Sequence, residues 1–329
     1  MLPQSMNAIE ITKAGGPDVL TLVTRPVPTP GAGQVLIKVA YAGINRHDCG
    51  QRNRGFGPKG ATDIPGLEVS GEVVAIGAGV TRWKAGDAVC ALVNGGGYAQ
   101  YCIAQQEVTL PIPPGFDMKH AAGLLETLMT AWQNVFMIGQ LKAGEWLLVH
   151  GGSSGVGSLA IQLARLTGAN VAATAGNAAK CAFCLKIGAQ AAINYKIQDF
   201  VAEVQKVTGG HGADVILDMA GAAYAKRNLE ALAMDGRVVH VSSGEREYSV
   251  PLSAIMAKRA IISGSGLRSA ERARKVEIVR QLNERVWPHL GAKVKPIIDS
   301  VLPLARACDG HARMEASEHI GKILLEVGH

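Results

Sequence analysis

This chain of 329 residues has no long apolar run, no clustered cysteines and no leader-like start. No apolar stretch approaches the roughly 20 residues that a helix needs to cross a bilayer. The first six residues carry neither the basic nor the apolar region of a signal peptide. The 6 cysteines are scattered, which disfavours a disulfide framework and favours a reducing compartment. We therefore expect a cytoplasmic protein with no membrane partner.

The charge excess is modest and is concentrated in one segment. The formal net charge is +6 and the pI is about 9.0, and much of the excess lies within 267–285. Apolar residues at 276, 279 and 282 recur there at helical spacing among charges of both signs, which predicts the solvated face of an amphipathic helix. Binding of a nucleic acid or another polyanion is the alternative interpretation.

A glycine-rich loop stands between a predicted strand, 146–150, and a predicted helix, 156–167. Glycines remove Cβ atoms from such a loop, so a pyrophosphate can approach the backbone N–H groups at the helix N-terminus. This context predicts a dinucleotide site, with a structural tight turn as the alternative. The residues expected to contact the phosphates are Gly152, Ser153, Ser154, Gly155, Val156 and Gly157.

No carboxylate stands where NAD-selective folds place one, at the end of the second strand. The predicted strand 170–175 leads into Gly176 and Asn177, Lys180 follows, and the third strand ends next to Tyr195. A cation without a competing carboxylate suits a 2′-phosphate. The pattern predicts NADPH rather than NADH, unless Lys180 is an ordinary solvated helix residue.

The pattern of predicted secondary structure changes near residue 124. Before it, short alternating strands with Gly and Pro between them predict an antiparallel, barrel-like domain. After it, helices and strands alternate, which predicts a doubly wound parallel sheet of about six strands. We predict an α/β protein with a substrate domain over 1–123 and 267–329 and a Rossmann domain over 124–266. Single helices are expected over 119–137 and 222–233, and a strand over 237–242.

Four motifs in the first part resemble those of the medium-chain dehydrogenase/reductase superfamily. They are Gly-Ile-Asn-Arg-His-Asp (43–48), Pro-Gly-Leu-Glu-Val-Ser-Gly-Glu-Val (65–73), Trp-Lys-Ala-Gly-Asp-Ala-Val (83–89) and Gly-Gly-Gly-Tyr-Ala-Gln-Tyr (95–101). With the glycine-rich loop and Ile-Asn-Tyr-Lys (193–196), the chain is most similar to zinc-free, zeta-crystallin-like quinone oxidoreductases. The resemblance implies a GroES-like substrate domain, a Rossmann domain, NADPH as hydride donor, and a homodimer built through the edges of the Rossmann sheets.

The resemblance also implies roles for single residues. Lys180 and Tyr195 match the pair that holds the adenosine phosphate. Asn45 matches a residue facing nicotinamide and substrate, and Thr130 one near the carboxamide; the alternatives are a turn Asn and a helix-interior Thr. Phe56 stands where many relatives have Tyr. Phenylalanine keeps the aromatic ring but lacks the hydroxyl, so the sequence does not identify the proton donor. The further cofactor contacts predicted are Gly176, Asn177, Ser242 and Gly266.

The ligands of a catalytic zinc are replaced at the matching positions. Zinc-dependent members of the superfamily use Cys and His where this chain has Asn45 and Leu67, and neither replacement suits tetrahedral zinc. Without a Lewis acid, an unactivated alcohol or ketone is a poor substrate, whereas a quinone accepts hydride readily. We predict an NADPH-dependent quinone reductase. The alternatives are an enone or enal reductase and, outside enzymes, a nucleic-acid-binding or crystallin-like protein.

Overall fold

The computed structural model describes residues 1–55, 57, 62–241 and 247–328, so Phe56 and Ser242 lie outside the described residues. The chain forms two compact units. The first comprises Met1–Glu126, Lys275–Arg280 and Lys295–His329, and the second Thr127–Arg274 and Gln281–Val294. The second unit thus includes 267–274 and 281–294, which the sequence prediction assigned to the substrate domain. Within the described ranges, no helix is both long and apolar enough to cross a membrane.

Strands and helices are mostly short. The strands are β1 (Ser5–Ile11), β2 (Leu20–Pro26), β3 (Gln34–Ile44), β4 (Glu68–Ile76), β5 (Ala88–Leu92), β6 (Tyr101–Gln105), β7 (Thr109–Pro111), β8 (Trp146–Val149), β9 (Asn170–Ala175), β10 (Ala191–Asn194), β11 (Ala213–Asp218), β12 (Leu232–His240), β13 (Ile261–Gly264), β14 (Ile298–Pro303) and β15 (Lys322–Glu326). The α-helices are α1 (Arg46–Arg54), α2 (Met118–Ala122), α3 (Leu125–Trp132), α4 (Gly155–Leu166), α5 (Ala178–Lys186), α6 (Phe200–Val207), α7 (Ala225–Ala231), α8 (Leu252–Lys258), α9 (Arg272–Arg285) and α10 (Ala307–Ala316).

The first unit is built on a 7-stranded sheet in which β14, β15, β3, β4, β5 and β7 are successive neighbours and β6 pairs with β3. All pairs are antiparallel except β14 with β15. The last strand, β15, pairs with β3. Side chains from alternate strand positions form one apolar core, including Val35, Ile37 and Val39 of β3.

The second unit contains a parallel sheet of 6 strands in the order β10-β9-β8-β11-β12-β13. This is the doubly wound order 3-2-1-4-5-6, in which ligands bind at the carboxyl ends of the strands. β8 and β11 are apolar along almost their whole length because parallel strands are covered on both faces. The predicted α/β fold class is confirmed.

Two predicted helices are wrong in extent. The predicted helix 119–137 is divided, since Gly123 ends α2 and the segment after α3, Gln133–Ile138, is π-helical. The Gly139 N–H donates to the Asn134 carbonyl at 2.9 Å, which closes a wider turn that a 3.6-residue period does not signal. The predicted helix 222–233 ends at Ala231 because Leu232 already pairs with Ala213 in the sheet. The predicted strand 237–242 therefore begins five residues early, at Leu232.

The basic segment forms the predicted amphipathic helix, now α9. Ile278, Val279 and Leu282 are buried, while Val276 is exposed. Arg280 pairs with Glu277 on the exposed side of the helix. This ion pair lies on the solvated face of the helix.

A fully buried histidine connects α10 to α1 in the first unit. His311 Nδ1 lies 3.3 Å from the Arg52 guanidinium and Nε2 lies 3.2 Å from the Tyr98 hydroxyl. Because arginine only donates, Nδ1 accepts, and Nε2–H donates to Tyr98, whose hydroxyl donates to Asp48 at 3.2 Å. Burial, and then the charge of Arg52, lower the pKa of His311 from 6.5 to about 3.

This histidine predicts an acid-sensitive first unit. The unfolded chain binds a proton at this ring near pH 6.5, but the folded chain does so only near pH 3. The contribution of His311 to the free energy of unfolding is therefore fully present above about pH 6.5 and is lost as the pH falls from 6.5 towards 3. His311→Gln should flatten the decline in urea midpoint between about pH 7 and about pH 4. The exposed His120→Gln is the control, and equal slopes in all three proteins would contradict the prediction.

Candidate active site

The glycine-rich loop joins β8 to α4, the strand–turn–helix context that the sequence predicts. Ser154 is the N-cap of α4, and its Oγ accepts the Gly157 N–H at 3.0 Å. The Ser154 N–H donates to the Gly151 carbonyl at 3.0 Å, which closes the turn before the helix. The N-terminus of this 12-residue helix carries a partial positive charge, a suitable place for a phosphate.

Close backbone approach explains the glycines of the loop. A Cβ at Gly157 would lie 2.3 Å from the Gly151 carbonyl oxygen, so no side chain fits there. A Cβ at Gly152 would lie 2.7 Å from the Ala173 Cβ and 3.0 Å from the Cys184 Sγ. Gly151 has a φ of +70°, a conformation that favours glycine, although the sequence reasoning did not select it.

The carboxyl ends of β9 and β10 bring the predicted 2′-phosphate residues close together. Asn177 is the N-cap of α5, and its side chain accepts the Lys180 N–H at 2.9 Å. The Tyr195 hydroxyl lies 2.9 Å from the place a Cβ would take on Gly176. Lys180 is only 8% exposed, which differs from an ordinary solvated helix residue, and Tyr195 is exposed.

Three polar side chains that sequence reasoning missed connect α3 to the end of β13. Gln133 Nε2 donates to Ser265 Oγ at 2.5 Å, and Ser265 Oγ donates to Asn134 Oδ1 at 2.8 Å. Asn134 Nδ2 donates to the Thr130 carbonyl at 2.8 Å. The network therefore holds Thr130, which is buried, near the segment that carries the predicted contact Gly266. Polar residues within an apolar helical pattern are the signal that could have revealed them.

In the first unit, Asn45 is enclosed by a buried ion pair. Lys322 Nζ lies 2.6 Å from Glu68 Oε1 and 2.6 Å from Asn45 Oδ1, and it also donates to the Ile44 carbonyl at 3.0 Å. Glu68 and Lys322 are at most 2% exposed. Gly43 is required beside them, because a Cβ there would lie 2.4 Å from Glu68 Oε1. Sequence reasoning did not identify Glu68 as a site residue.

The ion pair fixes the orientation of the Asn45 amide. An ammonium only donates, so the amide oxygen faces Lys322 and the amide nitrogen faces Glu68, at 3.1 Å. The other N–H of this nitrogen has only a long contact of 3.4 Å with the Gly43 carbonyl. That second N–H is therefore the most weakly bonded donor of the fixed amide.

The matching zinc positions do not offer zinc ligands in this chain. Asn45 is committed to Lys322 and Glu68, and Leu67 is a buried aliphatic residue. In the part of the chain that the structure describes, no group of three or more His, Cys, Asp or Glu side chains could hold a metal ion. The donor set therefore does not fit a catalytic zinc at this place.

Comparisons with known proteins identify the family of this chain. Residues 31–114 match the alcohol dehydrogenase GroES-like domain, and residues 155–283 match the family described as zinc-binding dehydrogenase. The chain is 33% identical to the quinone oxidoreductase of Rattus norvegicus and 31% identical to that of Homo sapiens, over 97% of each chain. The chain belongs to the quinone oxidoreductase branch of the medium-chain dehydrogenase/reductase superfamily.

Solved structures of this superfamily have the same fold. A mycobacterial protein complexed with NADPH matches with a TM-score of 0.85 and 28% identity, over 98% of this chain and 99% of that one. An NAD-dependent alcohol dehydrogenase matches with a TM-score of 0.86 and 30% identity, over 98% of this chain and 100% of that one. The predicted family, the Rossmann-like sheet and the separate GroES-like part are confirmed. The chain is an NAD(P)-dependent oxidoreductase.

Proposed function

We propose that this protein is an NADPH-dependent quinone oxidoreductase that works without a metal. The observation that carries the proposal is Asn45, which is held by the buried Lys322–Glu68 pair at a position where zinc-dependent relatives have a ligand. A site without a Lewis acid suits an acceptor that is already activated, and a quinone is such an acceptor. The names of the quinone oxidoreductase relatives support the same substrate class.

The residues of the chain bind and orient the reactants. We assign the pyrophosphate to the loop from Gly152 to Gly157, and the nicotinamide end to Thr130 and the segment at Gly266. NADPH held there would supply a hydride, and the quinone would gain that hydride and one proton to become a hydroquinone. The second N–H of Asn45 would stabilise the developing oxyanion. Phe56 cannot give the proton, so we assign it to solvent.

NADPH rather than NADH is proposed from the residues at the ends of β9 and β10. The Lys180 ammonium and the Tyr195 hydroxyl suit the dianionic 2′-phosphate, and residues 170–180 contain no Asp or Glu to repel it. Lys180→Ala should therefore weaken NADPH binding about 10- to 100-fold, the range for losing a hydrogen bond to a charged group, and leave NADH unchanged. Titration of intrinsic fluorescence with each dinucleotide measures both constants.

The matched control is Lys186→Ala at the exposed end of the same helix, α5. It removes the same charge from the same element but lies a helix length from the N-cap Asn177. Equal losses of NADPH affinity in both variants would mean that NADPH binding depends on the overall positive electrostatic potential and not on a direct contact with Lys180. If Lys180→Ala loses as much affinity for NADH as for NADPH, Lys180 does not recognise the 2′-phosphate.

The substrate class is tested by following the reduced-nicotinamide absorbance with para-benzoquinone, phenanthrenequinone, cyclohexenone and hexenal. We expect fast NADPH oxidation with the quinones. Turnover of the enone and enal alone would favour the alternative, an NADPH-dependent reductase of α,β-unsaturated carbonyls. Tight NADPH binding without any turnover would favour a non-enzymatic role, such as nucleic-acid binding through α9.

We also propose a homodimer that forms at the β13 edge of the six-stranded sheet. Ile261 of this strand and Leu252 and Met256 of the preceding helix are 58–69% exposed, and they form an apolar patch at the outer strand of the sheet as described. Ile261→Asp should convert a dimer into monomers in sedimentation equilibrium. A wild-type monomer would contradict the assembly.

We propose a cytoplasmic location, with which the free cysteines are consistent.

A further inference from the structure

A line of buried polar side chains crosses the carboxyl ends of β9, β8 and β11, three neighbouring strands of the second unit. Thr174 lies in β9, His150 follows β8, Asp218 ends β11, and Asn228 of α7 lies between the last two. All four residues are at most 1% exposed. Burying polar groups is unfavourable unless they are hydrogen-bonded, so this line requires an explanation.

The direction of each hydrogen bond follows from the carboxylate at one end. Asp218 Oδ2 accepts from Asn228 Nδ2 at 2.8 Å, so the other end of the amide, Oδ1, faces His150 Nε2 at 2.8 Å. Since Oδ1 only accepts, Nε2 carries a proton. Burial lowers the pKa of His150, so the ring is neutral and Nδ1 is an acceptor. The tautomer of His150 is therefore fixed.

The other end of the line holds the glycine-rich loop. The Thr174 hydroxyl lies 3.2 Å from His150 Nδ1 and donates to it. Its oxygen is then oriented to accept the Gly151 N–H at 3.3 Å, and the Thr174 carbonyl accepts the Gly152 N–H at 2.9 Å. Thr174 thus holds Gly151 and Gly152, the first two residues of the loop, through these hydrogen bonds.

We propose that Asp218, Asn228, His150 and Thr174 form a relay of positioning residues that holds the glycine-rich loop in the shape that binds a pyrophosphate. The inference rests on the proposed dinucleotide function and adds residues that do not themselves contact the cofactor. The Asp218 end is anchored independently, because Oδ1 accepts the N–H groups of Ala220 at 2.7 Å and Gly221 at 3.1 Å. A fixed loop binds phosphate without first being ordered.

Thr174→Val tests the relay because it keeps the shape of the side chain and removes the hydroxyl. We expect the Kd and KM of NADPH to rise about 10-fold, the effect of leaving a buried group unpaired, with kcat changed less than about 2-fold. Binding of adenosine 2′-monophosphate, which has no pyrophosphate, should not change. Thr174→Ser keeps the hydroxyl and should restore wild-type values.

Thr208→Val is the matched control. The Thr208 hydroxyl also accepts a glycine N–H, that of Gly212 at 2.9 Å, but at the amino end of β11. The control should lose similar stability and keep wild-type NADPH affinity. Wild-type NADPH affinity in Thr174→Val, or an equal loss of adenosine 2′-monophosphate affinity, would overturn the relay.

Two further outcomes separate the relay from the proposed function. If the wild-type protein binds NADH but not NADPH, the cofactor assignment fails, and the same variants test the relay with NADH, which carries the same pyrophosphate. If Thr174→Val does not fold, amide hydrogen exchange of wild-type Gly151 replaces it. Protection of Gly151 equal to that of β8 supports the relay, and rapid exchange overturns it.

Discussion

Gly157→Ala is expected to lower the affinity for NADPH by about 100-fold, because losing two hydrogen bonds from loop N–H groups to the charged pyrophosphate costs about 3 kcal/mol. The new Cβ would lie 2.3 Å from the Gly151 carbonyl oxygen and 2.9 Å from the Gly152 Cα. Both contacts are with backbone, so the loop itself must move. The loss should appear for NADPH and NADH alike, since both place a pyrophosphate there. Calorimetric titration of each dinucleotide measures it.

Gly50→Ala provides the matched control for this loss. Gly50 is a helical glycine of α1, and among the described residues a Cβ there meets only the far end of the Arg54 side chain, at 3.4 Å. Alanine should stabilise that helix by about 0.5–1 kcal/mol and leave dinucleotide binding unchanged. Near wild-type binding by Gly157→Ala would mean that the loop is not the phosphate site.

Lys322→Met is expected to destabilise the protein by about 3–5 kcal/mol, because it leaves the Glu68 carboxylate buried without its partner. The side chains of Lys322 and Glu68 are 3% and 1% exposed, so water cannot replace the lost contact. Asn45 also loses the donor that fixes its amide oxygen. Quinone turnover should fall with stability, and urea unfolding at neutral pH measures the loss.

The double variant Lys322→Met with Glu68→Gln serves as the control. Removing both charges should recover much of the lost stability, since a buried pair can often be replaced by neutral groups at little cost. It should not recover turnover fully, because the Asn45 amide is then no longer oriented by an ammonium. Stability of Lys322→Met equal to wild type would show that the pair is not buried in solution.

The parts of the site that sequence could predict are local in the chain. The strand, the glycine-rich loop and the helix that follow one another from Trp146 to Leu166 are coded by neighbouring residues. Gly176, Asn177 and Lys180 likewise lie within one strand–helix junction. Parallel-sheet topology then places such junctions along one edge, which explains why the fold class was predictable.

The parts that sequence could not predict depend on distant partners. Asn45 and Lys322 are 277 residues apart, and His150 and Asn228 are 78 apart, so no local pattern couples them. The early start of β12 at Leu232 is another example, because pairing with β11 overrides a helical period. Conversely, Lys180 was predictable as a residue of α5, but its burial depends on the packing of the whole unit.

We propose that the protein transfers a hydride from NADPH to a quinone without a metal. The most direct measurement is steady-state oxidation of NADPH and of NADH by para-benzoquinone, before and after dialysis of the protein against a chelator. We expect turnover that chelation does not change, with kcat/KM for NADPH at least about 10-fold above that for NADH, which is the effect of one charge-assisted contact. Activity that is lost on chelation and restored by zinc, or equal use of both dinucleotides, would contradict it.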